Sequence, residues 1–167
     1  MNRRSRAREV ALQLLFQRDH NPGLERPALV GFARNRLREP ALVDFCLQLH
    51  DGVLAHHEEI DQRLSASAEN WRLPRMAAVD RNVLRIGAFE LLFFPETPPA
   101  VAFDEAIELA RRYGTAESSA FVNGVLDRLR REATGEATGE ATGATTDTTT
   151  VAAPTAEPPS ESAIPPS

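Results

Sequence analysis

The chain contains no lysine. All nineteen of its basic residues are arginine, and every one lies at or before Arg131. Cysteine is nearly absent as well: Cys46 alone cannot build a disulfide framework or a cysteine-rich zinc site, and a single thiol suits a reducing compartment. No apolar run approaches the roughly 18 residues that cross a bilayer, so no membrane association is expected. The opening MNRRSRAREV leads into a charged amphipathic stretch, not an apolar one, so a cytoplasmic location is expected rather than secretion. There is no G-x-S-x-G, no P-loop and no dinucleotide glycine fingerprint. His56 and His57 are adjacent, so on a helix they point about 100° apart, and His50 lies two turns from His57. No catalytic residue, metal or cofactor is therefore expected.

The charges that are present divide along the chain. Nineteen acids lie at or before Glu132 and five beyond it, so the first 132 residues are formally neutral and the net charge of −5 belongs to the remainder. From Glu132 the sequence reads EATGEATGEATGATTDTTT and then VAAPTAEPPSESAIPPS, with five prolines. Such a segment has too little apolar surface to offset its ordering entropy. The expected organisation is a folded body over 1–132 and a disordered acidic Thr/Pro-rich tail over 133–167. That tail reads as a flexible tether, with docking or autoinhibition as the alternative.

The body reads as helices throughout. Ala7, Val10, Ala11, Leu14 and Leu15 form one stripe of a helix over about 3–18, stopped by Asn21-Pro22-Gly23. A second helix is expected over 25–37 and a long one over 40–64, with Pro40 at its start. A short helical turn near 67–71 carries Trp71. Pro74 opens a helix over 75–93, followed by helices over 100–112 and 116–131. Gly114 stands at a C′ position and Thr115 at an N-cap. The class is all-α. Cys46 reads as a buried small hydrophobe, Glu58-Glu59-x-Asp61 as a solvated helix face, and Gly124 as a point of close backbone approach.

Two constellations suggest a ligand. Arg3, Arg4, Arg6 and Arg8 crowd about two turns of helix, where their charges repel one another and oppose the helix dipole. A planar guanidinium fork suits phosphate, although a solvated basic terminus is the plain alternative. In AIELARRYGTAESSAFVNGVLDRL (106–129), Tyr113 and Phe121 flank a turn, with Arg111 and Arg112 just before it. Aromatics beside arginines can take splayed bases of single-stranded RNA, and Glu117 and Ser118 add acceptors. Helix-end packing is the other reading of both rings.

Three blocks together resemble the bacterial NusB transcription antitermination family: RRSRAREVALQLLF (3–16), RMAAVDRNVLRIGAFELL (75–92) and AVAFDEAIELARRYGTAESSAFVNGVLDRL (100–129). The resemblance covers residues 3–131, and E-A-I-E-L-A and F-V-N-G-V-L-D are both intact. It implies about seven helices in two packed helical subdomains. It further implies a non-enzymatic factor that binds boxA RNA in nascent ribosomal RNA transcripts together with NusE, a small-subunit ribosomal protein. That pair would join NusA, NusG and RNA polymerase. By residue, Arg4, Arg6 and Arg8 inherit phosphate contacts. Tyr113, Glu117 and Phe121 inherit the RNA-facing turn, and Phe16 and Asp80 the NusE-facing surface. Residues 19–40 and the tail inherit nothing. Some family members form homodimers, and LLFF at 91–94 fits core or interface. NusB-like domains also precede RNA cytosine methyltransferase domains, but no cofactor-binding glycine loop or catalytic cysteine follows here. A helical scaffold without RNA is the third reading.

Overall fold

A computed structural model describes residues 3–69 and 71–136. Seven α-helices follow one another: α1 (Arg3–His20), α2 (Arg26–Leu37), α3 (Pro40–Ala55), α4 (His57–Ser67), α5 (Ala78–Phe93), α6 (Pro99–Tyr113) and α7 (Ser118–Thr134), with a 3₁₀ turn over Leu73–Arg75. Helices α1–α3 pack as one bundle and α4–α7 as a second. The two are joined where α1 and α3 lie on α5. The core runs through both, from Ala7, Val10 and Leu14 through Leu49, Val53 and Leu64 to Leu84, Ile86, Leu126 and Leu129.

The expected helices are present, with instructive differences at their ends. The expected long third helix is broken at His56 (φ −107°, ψ 17°). Val53, Ile60 and Leu64 are all buried on either side of the break, so the apolar period passes through it unaltered. The His56 ring stacks on Phe93 at 3.9 Å, which fixes the corner. The helical turn expected near 67–71 does not form: α4 stops at Ser67 and Trp71 lies exposed in the connection. Pro74 sits in the 3₁₀ turn, and α5 begins later, at Ala78. Helix α7 continues past Glu132 to Thr134, closed by Gly135 in the left-handed region (φ 76°). Beyond residue 136, the expected tail lies outside the described residues.

Close approach occurs at glycines other than Gly124, whose position is open. A Cβ on Gly52 would lie 2.1 Å from Phe89 Cζ, and one on Gly87 would lie 2.7 Å from Leu126 Cδ1. These two positions let α3 approach α5, and α5 approach α7. Cys46 is fully buried, and burial pushes its thiol up to about 12. Leu91–Phe94 are half-buried against the core. Asp61 is not simply solvated: it receives a fork from Arg85, with both bonds at 2.9 Å. Arg81 and Asn82 meanwhile donate to Asp19 at 3.0 and 2.9 Å.

His50 is buried in α3, with Nδ1 3.0 Å from Asp51 Oδ1. Burial lowers its pKa below 6.5, outweighing the upward pull of Asp51. For Asp51, burial pushes upward, but the bonds from Arg26 and His50 prevail and hold it below 3.8. Below about pH 6.5 the unfolded chain therefore binds a proton at position 50 that the folded chain refuses, so stability declines as pH falls. The Asp51 contribution is lost only below the ordinary carboxylate range. Urea titrations across pH 7.5–5 should show unfolding free energy falling with pH, and His50→Gln should flatten that fall. A wild type as stable at pH 5 as at pH 7.5 would exclude a buried neutral imidazole.

Candidate nucleic-acid interface

The arginines at the start of α1 have different fates. A helix turns about 100° per residue, so Arg4 and Arg8 share a side and Arg6 faces away from it. Arg4 is exposed, its guanidinium 4.9 Å from the Phe45 ring centroid. Arg8 lies one turn further in, 5.1 Å from the same ring, and is 1% exposed. It forks onto Glu90 of α5 through Nε (3.1 and 3.0 Å) and Nη2 (2.7 Å). Thr97 donates to the same carboxylate at 2.9 Å, and Glu105 approaches Arg8 Nη1 at 3.8 Å. The expectation of a phosphate contact at Arg8 is thereby corrected. Its donors are spent on buried acids, and no phosphate reaches it without opening the α1–α5 junction.

Arg6 instead meets a group that sequence reasoning did not single out. It donates to Glu9 at 2.5 Å, and Glu9 is buried, its side chain 3% exposed. Arg112, from the end of α6, binds the other Glu9 oxygen. Tyr113 follows Arg112 at the end of α6; burial and then the Glu9 charge raise its hydroxyl pKa. One buried acid thus gathers Arg6, Arg112 and Tyr113 from two helices. The i,i+3 spacing of Arg6 and Glu9 was the available signal, but Arg112 lies 103 residues from Glu9.

The remaining expected residues fall into two depressions beside the start of α5. One, of about 330 Å³, has Phe16, Phe32, Arg36, Val79 and Tyr113 in its walls. Phe16 and Tyr113 are about equally exposed, and Phe16 also lies 4.3 Å from the His20 ring. The other, of about 430 Å³, is formed by Trp71, Met76, Asp80, Glu117 and Phe121 among others. Phe121 is half-buried and meets exposed Trp71 edge-on at 5.5 Å. Asp80 Oδ1 is buried there with no hydrogen-bond partner among the described residues. The Thr115 hydroxyl reaches Glu117 and Ser118, each at 3.2 Å. It caps no helix N–H, which corrects the N-cap expectation, and α7 begins without a side-chain cap. The structure therefore pairs Phe16 with Tyr113, and Asp80 with Glu117 and Phe121, across the expected division into partner-facing and RNA-facing residues.

A family profile for NusB matches residues 5–131 of this helical chain. The chain belongs to the NusB family. It is 48% identical over 130 residues to the transcription antitermination protein NusB of Sorangium cellulosum, covering 77% of this chain and 92% of that one. With its namesake from Desulfatibacillum aliphaticivorans it shares 44% over 129 residues, covering 77% and 90%. Among solved structures, T. maritima NusB superposes with a TM-score of 0.69 at 36% identity, over 79% of this chain and 92% of that one. The antitermination factors NusB and NusE in complex with double-stranded RNA give 0.71 at 26%, over 79% and 98%. NusB proteins are non-enzymatic antitermination factors.

The buried fork at Arg8 predicts a stability effect that its surface neighbours lack. Arg8→Ala leaves the Glu90 charge buried and unpaired, which typically costs about 3–5 kcal/mol. Arg4→Ala should stay within about 0.5 kcal/mol, as exposed substitutions usually do. Arg8→Met combined with Glu90→Leu should recover part of the Arg8→Ala loss, because the buried Glu90 charge is removed while half-buried Glu105 keeps its bond from Ser5. Equal unfolding midpoints for Arg8→Ala and Arg4→Ala in denaturant melts would refute the burial of this pair.

Proposed function

We propose that this chain is a transcription antitermination factor that binds boxA-type single-stranded RNA in nascent ribosomal RNA transcripts. It does so together with NusE, in a complex with NusA, NusG and RNA polymerase, in the cytoplasm. The observation that carries this reading is the convergence of Arg6, Arg112 and Tyr113 on buried Glu9. The acid holds two cations and a ring at one edge of the body. Arg6 contacts phosphate from there and Arg4 from the opposite side of α1, beside Phe45, while Tyr113, Glu117 and Phe121 meet bases. Binding consists of phosphate attraction and stacking, and no covalent chemistry is involved. The first 132 residues carry no net charge, so affinity from this chain alone is modest, and a partner that extends the RNA surface raises it.

Salt separates the two kinds of contact. Each arginine that neutralises a phosphate contributes about 0.7 to the slope of log affinity against log salt on a single strand. Arg4→Ala and Arg6→Ala should each flatten that slope and weaken boxA-like and scrambled strands alike. Phe121→Ala should cost on the order of 1–3 kcal/mol at every salt concentration and leave the slope unchanged. Circular dichroism checks its fold first. Normal RNA binding by a folded Phe121→Ala would make that ring packing alone.

Phe16 and Asp80 face NusE in this reading. Support comes from the Asp80 oxygen, buried with no donor among the described residues, which a partner's N–H or cation would satisfy. Asp80→Lys should weaken NusE binding in calorimetry while the helical signal holds, and the unfolding midpoint falls modestly because a cation then stands in the first turn of α5. An unaltered affinity would remove Asp80 from the interface.

A further inference from the structure

Helix α2 holds a charge imbalance that the fold leaves unused. From Arg26 to Arg38 the chain has four arginines and no acid. Arg26 is taken up by Asp51 of α3, at 2.5 and 2.9 Å. Arg34, Arg36 and Arg38 are exposed, and none has an ion-pair partner among the described residues. Leu29, Ala33 and Leu37 turn inward. The helical period then places Arg34 and Arg38 on one flank of α2 and Arg36 with Phe32 on the other. The Arg36 guanidinium lies over the Phe32 ring at 4.6 Å and donates to Gln13 at 3.4 Å.

Arg38 carries a second signal. Its backbone has φ 54° and ψ −44°, and the Glu39 N–H closes a three-residue turn on the Leu37 carbonyl at 2.5 Å. That conformation is strained for a residue with a side chain, and glycine would hold it freely. Strain of this kind gathers at ligand-binding positions, and here it sets an unpaired guanidinium at the end of α2. The next residue, Glu39, accepts from Arg3 at 3.1 Å, so this arginine face is continuous with the start of α1. On the other flank, Phe32 and Arg36 open into the depression they share with Phe16 and Tyr113.

We propose that the α2 arginines are a second stretch of single-stranded RNA track, in which Arg34, Arg36 and Arg38 hold phosphates across the outer face of the helix. This rests on the RNA-binding reading above and lengthens the strand it accommodates. RNA fits better than the chain's own acidic tail. RNA brings a charge at every nucleotide, which suits a run of exposed arginines without acids. Residues 137–167 bring four acids, well spread, and no aromatic residue.

The test uses the full chain with NusE and two probes: a boxA-like strand, and the same strand extended by uridines at both ends. The extended strand binds more tightly. Replacing Arg34, Arg36 and Arg38 together by Gln abolishes that gain and leaves the short strand unaffected. On the extended strand the salt slope falls by about 2, which at 0.1 M salt is about a hundredfold loss of affinity. Arg38→Gly separates this role from a structural one: the unfolding midpoint rises as strain is relieved, while extended-strand affinity drops. Failure of the wild type to bind the short strand would sink the functional reading itself. Short-strand binding together with an extension gain indifferent to the triple substitution would overturn this proposal alone. It would also be overturned if the extension added nothing and a peptide of residues 137–167 bound the wild type but not the triple variant.

Discussion

The arrangement turns on one guanidinium. Arg8 enters the core from α1 and meets Glu90 from α5, Glu105 from α6 and the Phe45 ring from α3. Removing two charges from water costs several kcal/mol per ion, and their attraction offsets this only when geometry is good and the remaining lone pairs are satisfied. Both conditions hold, since the fork is made and Thr97 supplies a further donor to Glu90. The pair also fixes the roll of α1. With Arg8 turned inward, Arg6 is set over Glu9 beside the end of α6, and Arg4 lies over the outer part of Phe45.

Much of this was legible in the residues, and the failures share a cause. Apolar spacing placed the helical segments, although it joined α3 and α4 into one, because spacing reports which side of a helix leaves water. It could not place the break at His56, since Val53, Ile60 and Leu64 keep one stripe through it and the ring that fixes the corner, Phe93, lies far along the chain. Arg8 looked like its neighbours because nothing near it in sequence reveals Glu90. Asp61 looked solvated because its partner Arg85 lies 24 residues on. Gly124 looked like a crossing point, whereas Gly52 and Gly87 occupy the crossings: a tolerant backbone marks close approach only where another helix arrives. The family motifs named candidate site residues but did not divide them between the two depressions, because that division depends on how distant helices pack.

Formal neutrality of the body conceals a strongly sorted charge distribution. Around α5, arginines and acids pair across helices: Arg81 and Arg85 with Asp19 and Asp61, and Arg8 with Glu90. Helix α2 differs, with three exposed arginines and no acid of its own to meet them. A polyanion responds to local charge within about a Debye length, roughly 8–10 Å at ordinary ionic strength, and hardly to the total. A neutral body with one basic flank binds RNA along that flank and has little general affinity for anionic surfaces elsewhere.

The long sequence separations of the α1 contacts also set an order of assembly on the ribosome. The bonds from Arg8 to Glu90, Ser5 to Glu105 and Arg112 to Glu9 span 82, 100 and 103 residues. Until α5 and α6 have emerged, Arg8 lacks the acids that take it up, and the nascent chain presents it with the outer arginines as a cationic leader. Such a leader attracts any nearby nucleic acid without selection. Only when α5 and α6 close on α1 is Arg8 withdrawn and the outer arginines held in fixed places, after most of the body has been made.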